Sequence, residues 1–287
     1  MINIELKDGS KIQVEEGLSI LEIAKKISEG LARKAMVGVI DGEVKDLREK
    51  INKDCKLEIK TFDDLEGKKA YWHTSSHIMA QAIKRLYPNT KLTIGPSIDN
   101  GFYYDFDVKK PFSEEDLQKI EEEMKKIVKE DLKLEKYTLP REEAIKFMKE
   151  KEEPYKVELI EELPEGEEIS FYKQGEFTDL CAGPHVGSTG EIKAIKLLSS
   201  SASYWRGDET KQTLQRIYGI SFPKASMLED YLNMLEEAKK RDHKKLGKEL
   251  ELFMIAKEGP GFPFFLPKGM ALRNVLEDFW RKIHVLN

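Results

Sequence analysis

The sequence has few of the features that mark a secreted, disulfide-linked or membrane-spanning protein. Cys55 and Cys181 are its only cysteines, which excludes a disulfide framework and favours the reducing cytoplasm. No apolar run approaches the roughly 20 residues of a membrane-spanning helix, and residues 1–5 lack the basic start of a secretory signal. The formal net charge of −5 argues against a general nucleic-acid coat, although local basic patches are compatible with it.

The composition predicts a globular chain of more than one domain. A length of 287 residues exceeds one ordinary domain, so we expect two or three. With 40% hydrophobic and 35% charged residues, the chain can bury a core under a heavily charged surface. Strand-like and helix-like patterns both occur, which predicts a multi-domain α+β protein.

Residues 1–62 have the pattern of a small β-rich domain. Apolar and polar residues alternate on both sides of Asp8-Gly9, which predicts a hairpin. Ser19 and Glu22 have the spacing of a capping box that opens a helix, and more strand-like segments follow. This order indicates a ubiquitin-like β-grasp fold, and the segment resembles the TGS domain of some tRNA synthetases and GTPases. We expect Cys55 to lie in a polar turn and to have no role.

A pair of histidines opens the next part of the chain. His73 and His77 lie four residues apart in a segment whose apolar residues recur at helical spacing until Pro88. Both imidazoles therefore point to the same side of a helix, where they could share a metal ion, a water or a substrate. A zinc-protease motif is excluded because Thr74 stands where the catalytic glutamate would follow. The alternative is a pair of helix histidines satisfied by ordinary hydrogen bonds.

The following segments predict further strands and helices. Residues 91–96 have a strand pattern, and the Asn100-Gly101 turn precedes an alternating aromatic strand. These aromatic side chains could stack on a base, but a buried sheet face explains them better, because aromatic residues favour strands generally. Charged helices are expected from Ser113 and from Arg141.

A second pair with the same spacing lies more than a hundred residues further on. Cys181 and His185 are four residues apart, with Gly183-Pro184 between them to form a tight turn. A thiolate and an imidazole would complete a two-plus-two zinc set with His73 and His77. Chance is a poor explanation for two such pairs, because the chain has only five histidines and two cysteines.

These motifs together resemble the editing domain of threonyl-tRNA synthetases, and we assign it residues 63–222. The resemblance is carried by residues 73–77, Ile94-Gly95-Pro96, residues 99–104, residues 179–185 and residues 203–208. Related pairs of metal-type residues occur in alanyl-tRNA synthetases. With the TGS-like segment before it, the resemblance extends over nearly the whole chain.

The resemblance implies hydrolysis of tRNA(Thr) that has been mischarged with serine. It assigns His73 and Lys156 to the attacking water and the terminal ribose, and it assigns the pocket that binds the seryl group to His77, Asp179, Cys181 and His185. Further substrate contacts are implied for Tyr104, Asp99, Gly95 and Pro96. Editing of this kind requires no cofactor, although zinc at His73, His77, Cys181 and His185 is compatible with the set.

The remaining sequence resembles the entrance to a class II synthetase core. Residues 223–245 predict a linker helix whose basic end could touch a tRNA backbone or simply face solvent. Residues 246–287 resemble the truncated start of the catalytic domain, with an apolar helix that we expect to be poorly packed or to belong to a longer enzyme. ATP, Mg²⁺, a core Zn²⁺ and homodimer formation are implied only for such a full-length enzyme.

Two other functions compete with editing. The first is a non-catalytic tRNA-binding module with an inert pocket, which a deacylation assay would distinguish. The second is a metal-dependent hydrolase of an unrelated substrate. The TGS-like and class II segments argue against it, because they have no reason to flank such an enzyme.

Overall fold

The computed structural model describes residues 1–285 and divides them into two compact units, with the boundary between Leu228 and Glu229. Both units mix helices with sheets that are mainly antiparallel, which confirms the predicted α+β class. None of the helices within residues 1–285 has both the length and the apolar composition needed to cross a membrane. Leu286 and Asn287, the last residues of the predicted class II segment, lie outside the described residues.

The elements in the N-terminal part of the first unit are β1 (Ile2–Leu6), β2 (Lys11–Val14), β3 (Leu18–Ser19), α1 (Ile20–Ile27), α2 (Glu29–Ala32), β4 (Ala35–Ile40), β5 (Glu43–Asp46), β6 (Lys50–Ile51) and β7 (Cys55–Thr61). Five of the strands form a sheet in the order β2-β1-β7-β4-β5, in which β1 and β7 are parallel. A second, two-stranded sheet pairs β3 with β6.

Local sequence explains most of this sheet. The hairpin β1–β2 and the capping box of Ser19 with Glu22 are both present, as predicted. Alternate residues of β1 and one face of α1 are buried in a common apolar core, which favours folding through the removal of apolar surface from water. The predicted place of Cys55 in a polar turn was wrong, because this residue begins β7 and is buried in that core.

The rest of the first unit contains a long buried helix and two more sheets. The elements are α3 (Leu65–Leu86), β8 (Lys91–Leu92), β9 (Ser97–Ile98), β10 (Gly101–Asp107), α4 (Glu114–Glu130), β11 (Leu134–Leu139), α5 (Arg141–Glu150), α6 (Pro154–Glu162), β12 (Ile169–Gln174), β13 (Phe177–Leu180), a 3₁₀ turn (Thr189–Glu191), β14 (Ala194–Tyr204), a 3₁₀ turn (Trp205–Gly207) and β15 (Thr213–Phe222).

These two sheets bring distant segments together beside α3. Strands β14, β15, β10 and β8 follow one another in the first sheet, with β9 paired to β10, and β11, β12 and β13 form the second. Phe102, Tyr104 and Phe106 of β10 are fully buried, so the aromatic strand supplies a sheet face rather than exposed stacking surfaces. The strand predicted over residues 91–96 is shorter than expected, since only Lys91–Leu92 form β8.

The second unit begins within α7 (Ala225–Lys240) and continues through α8 (His243–Glu249), β16 (Phe253–Ile255), β17 (Pro263–Phe265) and α9 (Pro267–Val285). The linker predicted as one helix over 223–245 is two helices, because Asp242 caps the backbone N–H groups of Lys244 and Lys245 and starts α8. Large apolar side chains of α9 are exposed, with Val275 65% and Phe279 63% accessible. This is the poor packing expected for the segment.

Candidate active site

Helix α3 carries His73 and His77 on the same side and is almost entirely buried from Ala70 to Ile83. The hydroxyl groups between the two histidines are buried with the helix, and they donate hydrogen bonds to backbone carbonyls of the preceding turn. Thr74 Oγ1 donates to the carbonyl of Ala70 at 2.9 Å and Ser75 Oγ to the carbonyl of Tyr71 at 2.9 Å. Such back-bonding lets hydroxyl residues occupy the interior of a helix without leaving a donor unpaired.

The loop after β13 brings the second pair to the first. Cys181 Sγ lies 3.3 Å from His73 Nε2 and 3.2 Å from His185 Nε2, and the backbone N–H of Gly183 donates to the same sulfur at 3.2 Å. Gly183 has a positive φ of 78°, and a Cβ there would lie 2.1 Å from Tyr172 Oη. This turn therefore requires glycine for both its conformation and its close approach to Tyr172.

The four side chains form one group of metal-type donors. Their ligand atoms all lie within 4.8 Å of one another, and the sulfur-to-nitrogen distances of 3.2 and 3.3 Å match the edge of a zinc tetrahedron with bonds of about 2.0–2.3 Å. His77 Nδ1 is buried and has no hydrogen-bond partner among the described residues. The donor set thus fits a zinc ion after small side-chain movements.

Burial controls the charge of this group. It lowers the pKa of His73 to about 4 and that of His77 to about 3, although the nearby Asp179 carboxylate opposes the shift. It also lowers the pKa of His185 well below its usual value and raises the pKa of the Cys181 thiol to about 12. At neutral pH the imidazoles are therefore uncharged, and each keeps a lone pair that can accept a proton or bind a metal.

A buried ion pair lies next to the histidines. Lys156 Nζ lies 2.7 Å from Asp179 Oδ1, and both side chains are less than 5% exposed. Tyr104 Oη donates to Asp179 Oδ2 at 2.7 Å, and His77 Nε2 lies 4.0 Å from that same oxygen. Burial by itself would raise the pKa of Asp179, but the Lys156 ammonium outweighs it together with the other contacts, and the pKa is lowered. Asp179 is therefore a carboxylate held by Lys156 and Tyr104, with the uncharged His77 ring beside it.

The other predicted residues lie at different distances from this cluster. The carbonyl of Gly95 accepts a hydrogen bond from Ser76 Oγ at 2.6 Å, and a Cβ on Gly95 would lie 2.0 Å from the Tyr104 ring. Pro96 follows in the same loop, where its carbonyl accepts from the backbone of Tyr103 at 3.3 Å. Asp99 is exposed in the turn between β9 and β10, so the structure does not bring it into the cluster.

A cavity of about 340 Å³ opens beside His73, and its wall includes Val44 of the N-terminal sheet domain. The lining residues are Val44, Leu65, Glu66, Lys69, Ala70, His73, Ser97, Gly183 and Pro184. A larger cavity of about 710 Å³ lies within the second unit. It contains none of the predicted site residues, so we take the cavity at His73 as the entrance to the site.

Sequence reasoning missed three groups that hold the cluster in place. Thr74 contacts the His185 ring, and Asp46 and Arg48 contact the backbone of residues 185–187. Thr74 lies between the two histidines of the motif that indicated the site, so its contact with the site could have been predicted from its position in the sequence. Asp46 and Arg48 belong to the N-terminal sheet domain and carry no local pattern that could have indicated this contact.

Comparison with known proteins shows which domains and which relatives the chain is similar to. Residues 2–61 match the TGS domain family, and residues 169–218 match the family described as the threonyl and alanyl tRNA synthetase second additional domain. The threonine–tRNA ligase of Caldanaerobacter subterraneus subsp. tengcongensis is 68% identical over 282 residues, which are 98% of this chain and 44% of that protein. Over nearly its whole length the chain is similar to the N-terminal part of threonine–tRNA ligases. This confirms the predicted resemblance.

Two other threonine–tRNA ligases match this chain over the same length and with similar sequence identity. The threonine–tRNA ligase of Acetivibrio thermocellus is 66% identical and that of Clostridium tetani 65% identical, each over 284 residues and 99% of this chain. The chain covers 45% and 44% of these two proteins. It therefore spans just under half the length of the curated relatives it matches.

Proposed function

We propose that this chain hydrolyses seryl-tRNA(Thr), the mischarged product that a threonine–tRNA ligase must remove. The observation that best supports this is the meeting of two distant metal-type pairs beside the buried Lys156–Asp179 ion pair, at the end of a cavity open at His73. Neutral imidazoles, a fixed carboxylate and a buried ammonium are groups that orient water and stabilise charge during ester hydrolysis.

The need for such a site follows from the small difference between two amino acids. Serine lacks one methyl group of threonine, and a methyl group contributes only about 1–3 kcal/mol of discrimination in a pocket. A synthetic site therefore cannot exclude serine efficiently. A second site that admits serine and is too small for threonine would remove the error by hydrolysis. Tyr104, Gly95 and Pro96 are the residues to which we assign the limit on its size.

In the reaction, the oxygen of a water molecule attacks the ester carbonyl carbon, and the bond between this carbon and the ribose oxygen breaks. The proton that the water loses ends on the ribose oxygen, so the products are free serine and a tRNA with its terminal hydroxyl restored. We assign to His73 the role of positioning the water, because its uncharged ring can accept a hydrogen bond from the water. Lys156 is assigned to the terminal ribose. His77, Asp179, Cys181 and His185 then form the seryl pocket, with the Asp179 carboxylate as the acceptor for the polar groups of serine.

This hydrolysis requires no cofactor in our proposal. A zinc ion, where bound, would be held by His73, His77, Cys181 and His185 and would polarise the water or the ester carbonyl. The remaining steps depend on the side chains of this chain alone.

The whole protein is proposed to attach threonine to tRNA(Thr) with ATP, in the cytoplasm and as a homodimer, with Mg²⁺ and a core Zn²⁺. Within it we propose a TGS domain at 1–62, the editing domain at 63–222, a linker at 223–245 and the start of the class II catalytic domain at 246–287. The acceptor end of tRNA(Thr) is the proposed partner of the cavity at His73.

The test is deacylation of seryl-tRNA(Thr) by this chain, with threonyl-tRNA(Thr) as the substrate that should be spared. We expect His73→Ala to abolish most of the cleavage. His243→Ala should leave it unchanged, because His243 is an exposed histidine in α8, outside the cluster. Binding of the tRNA without cleavage above the buffer rate would instead support an inert binding module.

A further inference from the structure

Asp46, at the end of β5, joins the N-terminal sheet domain to the loop that carries Cys181 and His185. Its Oδ1 accepts a hydrogen bond from the backbone N–H of His185 at 2.9 Å, and its Oδ2 accepts one from Tyr172 Oη. Asp46 is only 8% exposed. A buried carboxylate at this distance from a backbone N–H holds that peptide group firmly, because hydrogen bonds to a charged acceptor are the stronger kind.

Arg48 fixes the following peptide groups of the same loop. Its guanidinium donates to the carbonyls of Val186 at 3.1 Å and Gly187 at 3.4 Å, and it approaches the carbonyl of His185 at 3.5 Å. Arg48 Nη2 also lies 2.8 Å from Asp46 Oδ1. One acid and one base of the N-terminal domain thus hold three consecutive residues of the loop through their main chain.

The hydrogen bonds to this loop also determine where the His185 side chain lies in the site. Its backbone N–H is held by Asp46 and its ring lies between Thr74 and Cys181, with Nε2 at 3.2 Å from the sulfur. A shift of the His185 backbone would move its ring relative to the sulfur of Cys181. Misplacement by about 1 Å can cost a hundredfold in rate even when it originates away from the reacting atoms.

We propose that Asp46 and Arg48 are positioning residues for the hydrolytic site, so that the TGS domain helps to set the geometry of editing. The effect on rate rests on the proposed function, whereas the effect on loop geometry does not. A simpler alternative is that the two residues only add stability to the contact between the domains.

The experiment compares Asp46→Ala, Asp46→Asn and a matched control in the whole chain. The control is Asp41→Ala, which removes another carboxylate of the same domain that accepts from a backbone N–H, that of Lys56 at 2.8 Å. It also places alanine at a positive φ of 49°, so it weakens the domain without touching the loop. Asp46→Asn keeps one acceptor oxygen for His185 and should behave as a partial rescue.

The first measurement is the rate at which iodoacetamide alkylates Cys181 after dialysis against a chelator, followed by peptide mass spectrometry with an added cysteine-containing peptide as the internal reference. We expect Asp46→Ala to raise the Cys181 rate about tenfold or more and Asp46→Asn to raise it less. Asp41→Ala should change the rate at Cys55, which lies beside Lys56 in the same domain, and leave the Cys181 rate unchanged. Equal Cys181 rates in all four proteins would overturn the proposal. So would an equal rise in Asp41→Ala and Asp46→Ala, because this would indicate a general loss of stability.

The second measurement is the single-turnover rate constant for seryl-tRNA(Thr) hydrolysis over a range of enzyme concentrations. We expect Asp46→Ala to lower the maximal rate about 10- to 100-fold without changing the concentration that gives half of it. A change in that concentration alone would overturn the proposal, since it would place Asp46 in tRNA binding. No cleavage by the unsubstituted chain would refute the proposed function, and the alkylation rates would still decide the positioning role.

Discussion

Thr74 Oγ1 lies 3.1 Å from His185 Nδ1, deep inside the first unit. The same oxygen donates to the carbonyl of Ala70 and accepts from the backbone N–H of Val186 at 3.1 Å. A hydroxyl has one proton to give and two lone pairs, so its remaining role is to accept from His185 Nδ1–H. This fixes the tautomer and leaves the Nε2 lone pair of His185 directed at Cys181.

We therefore expect Thr74→Val to damage the site while keeping the shape of the side chain. The substitution leaves the Nδ1–H of His185 and the N–H of Val186 without an acceptor inside the protein, which should cost about 1–3 kcal/mol of stability for each group. Thr74→Ser keeps the hydroxyl and should cost less. Urea unfolding followed by tryptophan fluorescence measures the difference. Equal losses for the two variants would mean that the hydroxyl does not set the tautomer.

Lys156→Met should be among the most destabilising single changes in the first unit. It leaves the Asp179 carboxylate buried without its ammonium partner, although the Tyr104 hydroxyl still donates to it, and breaking a buried pair from one side costs about 3–5 kcal/mol. The double variant Lys156→Met with Asp179→Asn should lose less than the sum of the two single variants. Strictly additive losses in urea unfolding would contradict the coupling of the two charges.

Removal of metal should leave the proposed hydrolysis intact. The groups assigned to the water and the ribose belong to the chain itself, and a metal bound at Cys181 must first displace a proton from a thiol whose pKa burial raises to about 12. The deacylation rate should therefore be the same before and after dialysis against a chelator. A loss of rate that returns when zinc alone is added would show that the site requires the metal.

The stability of α4 should depend on pH through Asp116. Hydrogen bonds from the backbone and hydroxyl of Ser113 and from Tyr87 Oη lower its pKa from 3.8 to about 2. A lowered pKa in the folded state means that the carboxylate stabilises the protein above pH 4 and that this contribution disappears as the pH falls from about 4 to 2.

The difference in stability between the parent and Asp116→Asn should accordingly be largest above pH 4 and shrink toward pH 2. Glu115→Gln is the matched control, because it removes the same charge from the same turn and leaves the contacts of Ser113 in place. Urea midpoints measured at intervals between pH 7 and pH 2.5 check this. A difference that stays constant over the range would rule out the linkage.

The features that the sequence predicted correctly are those whose cause is local. The Asp8-Gly9 hairpin, the Ser19 cap and the histidine pair depend on residues within a few positions of one another. Helix α6 was missed because Pro154 and an acidic stretch obscure its apolar side. Asp46 was missed because its function depends on a contact with His185, 139 residues away.

The site is assembled from segments that lie far apart in the sequence, so the ribosome synthesises its parts at different times. His73 precedes Cys181 by 108 residues, which corresponds to about 5–20 s at a translation rate of about 5–20 residues per second. During that interval the polar face of α3, with its histidines and hydroxyl groups, has been made but its partners have not. The interior of the first unit therefore cannot be completely packed until the ribosome has synthesised the loop after β13.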